Sequence, residues 1–405
     1  MNTSTPSFPI ESKKTERVIG TYTSGLPGVH VVLLGGIHGN EPSGVTAIQQ
    51  VLTDLKEQNI SIKGKITGLR GNIPALSQGN RFVDRDLNRI WNTDFTPIEE
   101  VHESITEKTE KLQLIEQFKK ILDGKQTPVF IDLHTTSANG SPFIAIGDTL
   151  RNRKLCKDIP TPVILGFEEY MKGTLFNFFN FLGVCSMLFE GGQHDSKEAI
   201  DNHVSFIWMA LANLGCLTRK DIPNYEELYQ QLLKSTEGKS EIYETVYRYA
   251  VKERSLFEMD PDYDNFQTVE KNESIASYNG ERIHINNQGN IFMPLYQKQG
   301  EDGFFIIRKV NPFWIWLSQK LRQLKLEGSF GWLPGVKPHS SLEKTFLINS
   351  KIARLFPRQF FHLFGYKQLF HGDDQYMVMA RRKYDLTPPD NGEIYQGFKQ
   401  LISIN

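Results

Sequence analysis

Apolar residues fall in short dense runs, and stretches of polar or helical-period sequence separate them. The first dense run, residues 29–34 in GVHVVLLGG, is nearly continuous in branched apolar side chains and closes on a glycine pair. A strand with no polar face has to be covered on both sides, as inside a parallel sheet. After the turn IHGNEPSG, Val45, Ile48, Val51, Leu52 and Leu55 recur at helical spacing and predict a helix over 45–55. Residues 65–69, 128–133, 163–165 and 184–189 are further candidate strands. Residues 107–122 and 197–214 are candidate helices. Strands alternating with helices predict an α/β core with a mixed, mainly parallel sheet flanked by helices.

The pattern changes near Glu241. Residues 242–252 (IYETVYRYAVK) have strand composition, and short candidate strands follow to Ile307, broken by the turn signals NG, NNQGN and GEDG. The boundary is expected in or just after the acidic helix at 225–235. The chain therefore divides into an α/β domain at 1–239, a small β domain at 240–310, and a C-terminal extension at 311–405. The extension is aromatic and basic, with 13 Lys/Arg against 7 Asp/Glu, and Phe313, Trp314, Trp316 and Trp332 among its aromatics. Its run PFWIWLSQKLRQL has the makings of an interfacial amphipathic helix; packing on the β domain or on a partner subunit is the expected use.

Composition narrows the function. In 405 residues, 46 Lys+Arg balance 47 Asp+Glu, which disfavours a nucleic-acid binder that must cluster positive charge. Three scattered cysteines, Cys156, Cys185 and Cys216, make neither a disulfide framework nor a CxxC metal site, so a reducing compartment fits. Residues 1–9 lack the apolar segment of a secretory signal, and no window has the apolar length of a membrane span. A cytoplasmic protein with no membrane span is expected.

Four groups of residues carry chemistry. His38 and Glu41 lie just past the first dense strand, and ligands in open α/β sheets gather at the carboxyl ends of strands. An imidazole and a carboxylate three positions apart can point at one ion, and zinc accepts both. In Asp132-Leu133-His134, at the end of another strand, Asp132 and His134 face the same way and His134 can add a third ligand. Arg81 with Asp86-Leu87-Asn88-Arg89 suits a carboxylate, because guanidinium forks pair bidentately with its oxygens. Glu190, followed by two glycines after the apolar strand VCSMLF, is a buried-carboxylate candidate for proton transfer. Each group alone also has a plain structural use in a polar loop, an ion pair or a helix cap.

Taken in order, His38-x-x-Glu41, Arg81 with Asp86-Leu87-Asn88-Arg89, Asp132-Leu133-His134 and Glu190 resemble the succinylglutamate desuccinylase/aspartoacylase family. Its members are zinc amidohydrolases related to the zinc carboxypeptidases. The segment MPLYQKQGEDGFF at 293–305 resembles the C-terminal β domain of some members, so the likeness runs over about residues 28–310. It implies a zinc-carboxypeptidase-like fold and one Zn²⁺ per chain on His38, Glu41 and His134. Glu190 would be general base and then acid, and Arg81 would stabilise the oxyanion. Asn88 and Arg89 would hold the α-carboxylate of an N-acyl amino acid, with Tyr296 approaching from the β domain. Asp86 would orient a zinc histidine, and Asp132 is a competing candidate for that task.

The implied reaction is hydrolysis of the amide of a small N-acyl amino acid. Residues 175–188 contain no Lys or Arg, which argues against strict aspartoacylase specificity, and Phe176, Phe178, Phe179 and Phe181 are candidates for an apolar acyl pocket or for core. A carboxypeptidase-type exopeptidase and a catalytically idle binding module are the alternatives, and a homo-oligomer is left open.

Overall fold

A computed structural model describes residues 16–91, 93, 105–286, 288–324, 329–340, 342–349, 358–369 and 376–403. The expectation for residues 1–9 lies outside these. The strands up to residue 250 are β1 (Val18–Thr23), β2 (Leu26–Gly35), β3 (Lys63–Arg70), β4 (Pro128–Thr136), β5 (Phe143–Ile146), β6 (Val163–Leu165), β7 (Cys185–Gln193) and β8 (Ile242–Ala250). The helices are α1 (Ser43–Glu57), α2 (Ile73–Gln78), α3 (Thr106–Leu122), α4 (Leu150–Leu155), α5 (Leu175–Phe181), α6 (Lys197–Asn213) and α7 (Tyr225–Ser235). β3–β2–β4–β7 and β5–β6–β8 are parallel runs, joined where β5 meets β7 antiparallel. β1 closes one edge antiparallel to β3.

The dense run in β2 explains itself here. Val31 and Leu33 enter a core with Ile48 and Val51 of α1 and Phe206 of α6, whereas Val32 and Leu34 enter another with Phe118 of α3 and Phe178 of α5. Successive side chains point to opposite faces, so a strand between two helical layers needs apolar residues at every position. The phenylalanines of α5 take the same role: Phe176, Phe178 and Phe179 are buried in core clusters rather than in a cavity beside the candidate catalytic residues.

The segment 240–310 contributes to two sheets. β9 (Phe257–Met259), β11 (Ser274–Tyr278) and β12 (Glu281–His284) form a three-stranded antiparallel sheet. β10 (Thr268–Val269), β13 (Gly289–Phe292) and β14 (Asp302–Lys309) instead extend the large sheet beyond β8, to eleven strands. Alternating composition predicts strands but not the edge they join.

The extension begins with α8 (Pro312–Gln323). A four-stranded antiparallel sheet of β15 (Val336–Pro338), β16 (Thr345–Asn349), β17 (Tyr366–Leu369) and β18 (Tyr376–Arg381) follows, with α9 (Arg358–Leu363) beside it. Phe346, Ile348, Phe361, Tyr366 and Met379 are its core. α10 (Asn391–Ser403) then returns to the α/β body, where Ile394, Phe398 and Leu401 pack with Phe178 and Phe179. Charges key the extension in as well. Arg322 of α8 is fully buried and donates to Asp148 Oδ2 at 2.7 Å, and Arg382 pairs with Glu168 and Glu169. In α8, Phe313, Trp314 and Trp316 stay about half exposed while Ser318 and Arg322 are buried. No helix among the described residues is long and apolar enough to cross a membrane.

Candidate metal centre and active site

The loop after β2 turns on a glycine. A Cβ on Gly39 would lie 2.0 Å from the Ala75 carbonyl carbon, so no larger residue fits between His38 and Asn40. The Gly39 amide donates to Arg81 O at 3.1 Å, which ties this loop to the Arg81–Arg89 loop. A buried carboxylate on α3 organises the second loop: Glu107 accepts from the amides of Val83, Asp84 and Arg85 at 2.7–3.1 Å and from Asn72 Nδ2 at 3.0 Å. The sequence holds a signal for it, because Glu107, Glu110 and Leu114 share one helix face and Leu114 marks that face as inward.

The loops and strands bring the two histidines to one carboxylate. His38 Nδ1 lies 2.8 Å from Glu41 Oε1, and His134 Nδ1 lies 3.0 Å from Glu41 Oε2. Each outer nitrogen faces another buried carboxylate. His38 Nε2 is 3.2 Å from Asp86 Oδ1, and His134 Nε2 is 3.1 Å from Asp132 Oδ2. The Asp86 contact is a hydrogen bond, whereas the Asp132 contact misses hydrogen-bond geometry and leaves both Asp132 oxygens without such a partner among the described residues. Asp86 is therefore the better-formed support, and the Asn88 amide and Arg81 also hold it, at 2.8 Å and 3.0–3.1 Å. Burial opposes the charge on Glu41, but the two histidines outweigh it and hold the carboxyl well below its usual range. Burial likewise opposes the charge on His134, but Asp132 and Glu41 raise it well above the usual imidazole value.

These residues fit a metal on their own chemistry. Two imidazole nitrogens and a carboxylate, all buried, have donor atoms within 4.8 Å of one another. The cluster is richer in carboxylates than in fixed cations, and with each Nε2 turned to a carboxylate the Nδ1 lone pairs are left for a cation at Glu41. Such a nitrogen–nitrogen–oxygen set with carboxylate-oriented histidines suits zinc.

Glu190 sits opposite His134 in the β4–β7 register, so sheet pairing itself carries the carboxyl to the cluster. It is 3% exposed and its Oε2 has no hydrogen-bond partner among the described residues. Burial pushes it up to about 8; Glu41 and Asp132 add to this, against His134 and Arg81. The following glycine is needed because a Cβ on Gly191 would lie 2.4 Å from His203 Cε1. His203, a residue the sequence reading missed, lies 3.0 Å from the carbonyl oxygen of His134.

His38, Glu41, Arg81, Asn88, Arg89, His134 and Glu190 line one cavity, whose apolar wall is Phe167, Met171, Leu188, Met293 and Leu295. Arg81 also comes within 3.7 Å of Glu41 Oε1. Asn88 uses its Oδ1 on the Leu175 amide, 2.9 Å away, holding the start of α5. Arg89 is paired with Asp302, which in turn pairs with Arg248; neither partner was foreseen. Tyr296 departs from expectation: it does not line the cavity, because its hydroxyl is drawn off to donate to Asp260 O at 2.9 Å and to accept from the Tyr263 amide. Its neighbour Gln297 lines the cavity instead, accepting from Asn40 Nδ2 at 2.9 Å and facing His194. Cys185 lies outside the cavity, its thiol pushed up to about 12 by burial. A larger groove opens at the other ends of the strands, beside Val29, Val163 and Ile242, and no histidine among the described residues lines it.

Fold and cluster together define an α/β protein with a candidate metal centre at the carboxyl ends of its parallel strands. The chain is similar to the succinylglutamate desuccinylase of Vibrio cholerae, with a TM-score of 0.55 and 15% identity over 71% of this chain and 83% of that one. It is similar also to that of Chromobacterium violaceum, with a TM-score of 0.51 and 15% identity over 74% and 95%. At such identity the likeness is one of fold. Residues 27–196 match the family described as the succinylglutamate desuccinylase/aspartoacylase catalytic domain. The succinylglutamate desuccinylase of Shewanella pealeana is 30% identical over 130 residues, 32% of this chain and 38% of that relative. That of Yersinia pseudotuberculosis is 33% identical over 79 residues, 19% of this chain and 24% of the relative. The matched segments thus span well under half the length of these relatives.

Proposed function

We propose that the protein hydrolyses the amide bond of an N-acyl amino acid, with one zinc ion on His38, Glu41 and His134. The observation that carries this is the buried convergence of both Nδ1 atoms on Glu41 beside a second buried carboxyl, Glu190, that β-sheet register sets opposite His134. Zinc bound there would supply Lewis-acid polarisation of the scissile carbonyl and acidify water. Glu190 takes the proton of the attacking water and delivers it to the leaving nitrogen, which cannot depart as an anion. Arg81, held by Asp86, directs positive charge at the developing oxyanion. Phe167, Met171 and Leu188 give the cavity an apolar wall for an acyl chain, and Asn88 and Arg89 flank the amino-acid end.

The test is turnover by the zinc-loaded chain on a panel of N-acetyl and N-succinyl amino acids. Glu190→Gln, nearly isosteric, should keep its zinc and lose about 10²–10⁴-fold in kcat. A fully loaded wild-type chain that turns over neither a member of the panel nor its carboxamide refutes the proposal.

A further inference from the structure

Arg89, the expected grip for a substrate carboxylate, already holds one. Asp302, at the start of β14, places Oδ2 2.5 Å from Arg89 Nη2 and Oδ1 2.5 Å from Arg248 Nε. Arg89 Nη1 is turned onto the Asn88 carbonyl oxygen at 2.8 Å. A guanidinium takes a carboxylate best through two parallel N–H groups, and here the terminal fork is split between a carbonyl and Asp302. The side chains of Arg89 and Asp302 are 9% and 12% exposed, so salt and water screen the pair weakly. Glu301 lines the same cavity. Two guanidiniums therefore face two carboxylates, and a third carboxylate arriving at Arg89 meets like charge at close range.

We propose that Asp302 is a specificity-determining residue: it converts the Arg89 end of the cavity from an anion clamp into a charge-balanced surface. The preferred substrate is then an N-acyl amino acid whose own carboxyl is masked as an amide or peptide bond. A carboxamide suits the surface, because its oxygen can accept from Arg89 while its N–H donates to Asp302. This rests on the deacylase reading and deepens it.

The experiment compares N-acetyl amino acids with their carboxamides on the zinc-loaded protein, measuring binding by calorimetry and hydrolysis in parallel. Wild type should favour the carboxamide. Asp302→Asn keeps size and one acceptor but deletes the charge, so the acid-to-amide ratio should rise about tenfold or more, the scale of one like-charge contact in a shielded site. Asp302→Glu, which restores the charge, should restore the preference. A wild-type preference for the free acid above tenfold overturns the proposal, even where a variant fails to fold. So does an unchanged ratio in a folded Asp302→Asn; hydrolysis with an unchanged ratio leaves the deacylase reading intact and removes only the role of Asp302. Binding of neither ligand by any of the proteins overturns the placement of the amino-acid end at Arg89, and this inference with it.

Discussion

Replacing Arg322 with Met measures how firmly the extension is built into the α/β body. The guanidinium is fully buried and donates to Asp148 Oδ2 at 2.7 Å, Asp148 O at 2.9 Å, His362 O at 2.6 Å and, more weakly, Asp385 Oδ1 at 3.4 Å. Met matches its length and supplies no donor. Breaking one side of a buried pair typically costs about 3–5 kcal/mol, because the partner charge stays behind without compensation. Here compensation is partial. Asp148 keeps Arg153 at 2.5 and 3.0 Å, and Asp385 keeps Arg381 at 3.0 Å and the Leu150 amide at 3.0 Å. The His362 carbonyl oxygen keeps the Gly365 amide at 3.0 Å, whereas the Asp148 carbonyl oxygen loses its Arg322 donor, and a group left unsatisfied costs about 1–3 kcal/mol. The net expectation is the lower part of the ion-pair range, about 3–4 kcal/mol, a large share of the roughly 5–15 kcal/mol that holds most domains folded. Urea unfolding with a shared m-value gives the difference directly. The effect should also reach the cavity, because the Asp148 amide donates to Glu168 Oε1 at 3.2 Å and Glu168 follows Phe167 of the cavity wall. KM on the substrate panel should therefore rise. A stability loss below about 1 kcal/mol, the range of exposed pairs, would show that the buried network does not hold the extension in place.

Two further outcomes follow from the same geometry. His134→Ala should abolish tight zinc binding, since His38 and Glu41 alone leave two protein ligands; full zinc occupancy after dialysis would remove His134 from the set. His30, 5% exposed and 2.9 Å from Thr67 Oγ1, is pushed down to about 4 by burial and Lys65. The unfolded chain binds this proton first as pH falls, so stability should drop by about 2–3 kcal/mol between roughly pH 6.5 and 4. His30→Gln should flatten that part of the pH profile of urea midpoints, and an identical profile in the variant would exclude His30 as its source.

The residues of the cluster were legible because each follows or ends an unmistakable strand. His38 comes after β2, His134 lies near the end of β4, and Glu190 stands in β7 directly across from it. Apolar density marks such strands, and carboxyl ends are where sheets collect ligands. What escaped notice depends on distance along the chain. Asp302 reaches Arg89 across 213 positions, and Arg322 reaches Asp148 across 174. No local pattern announces a partner so remote. Tyr296 failed for another reason: its segment was placed correctly beside the cavity, but one residue separates a side chain that faces in from one that faces away, and Gln297 is the one that faces in. In the extension, alternating patterns identify strands, yet nothing local shows that α10 belongs to the core of the first domain.

That return of α10 governs the order in which the protein can be finished during synthesis. Phe178, Phe179 and Leu182 emerge from the ribosome more than two hundred residues before Phe398 and Leu401, which complete their cluster. At about 5–20 residues per second, this apolar face stays uncovered for about ten seconds or more, while the buried carboxylates Asp148, Glu168 and Glu169 wait for Arg322 and Arg382. The nascent α/β body thus carries an open apolar face until the extension arrives, and a ribosome stalled near residue 310 should hold a loosened domain that limited proteolysis cuts faster than the finished chain.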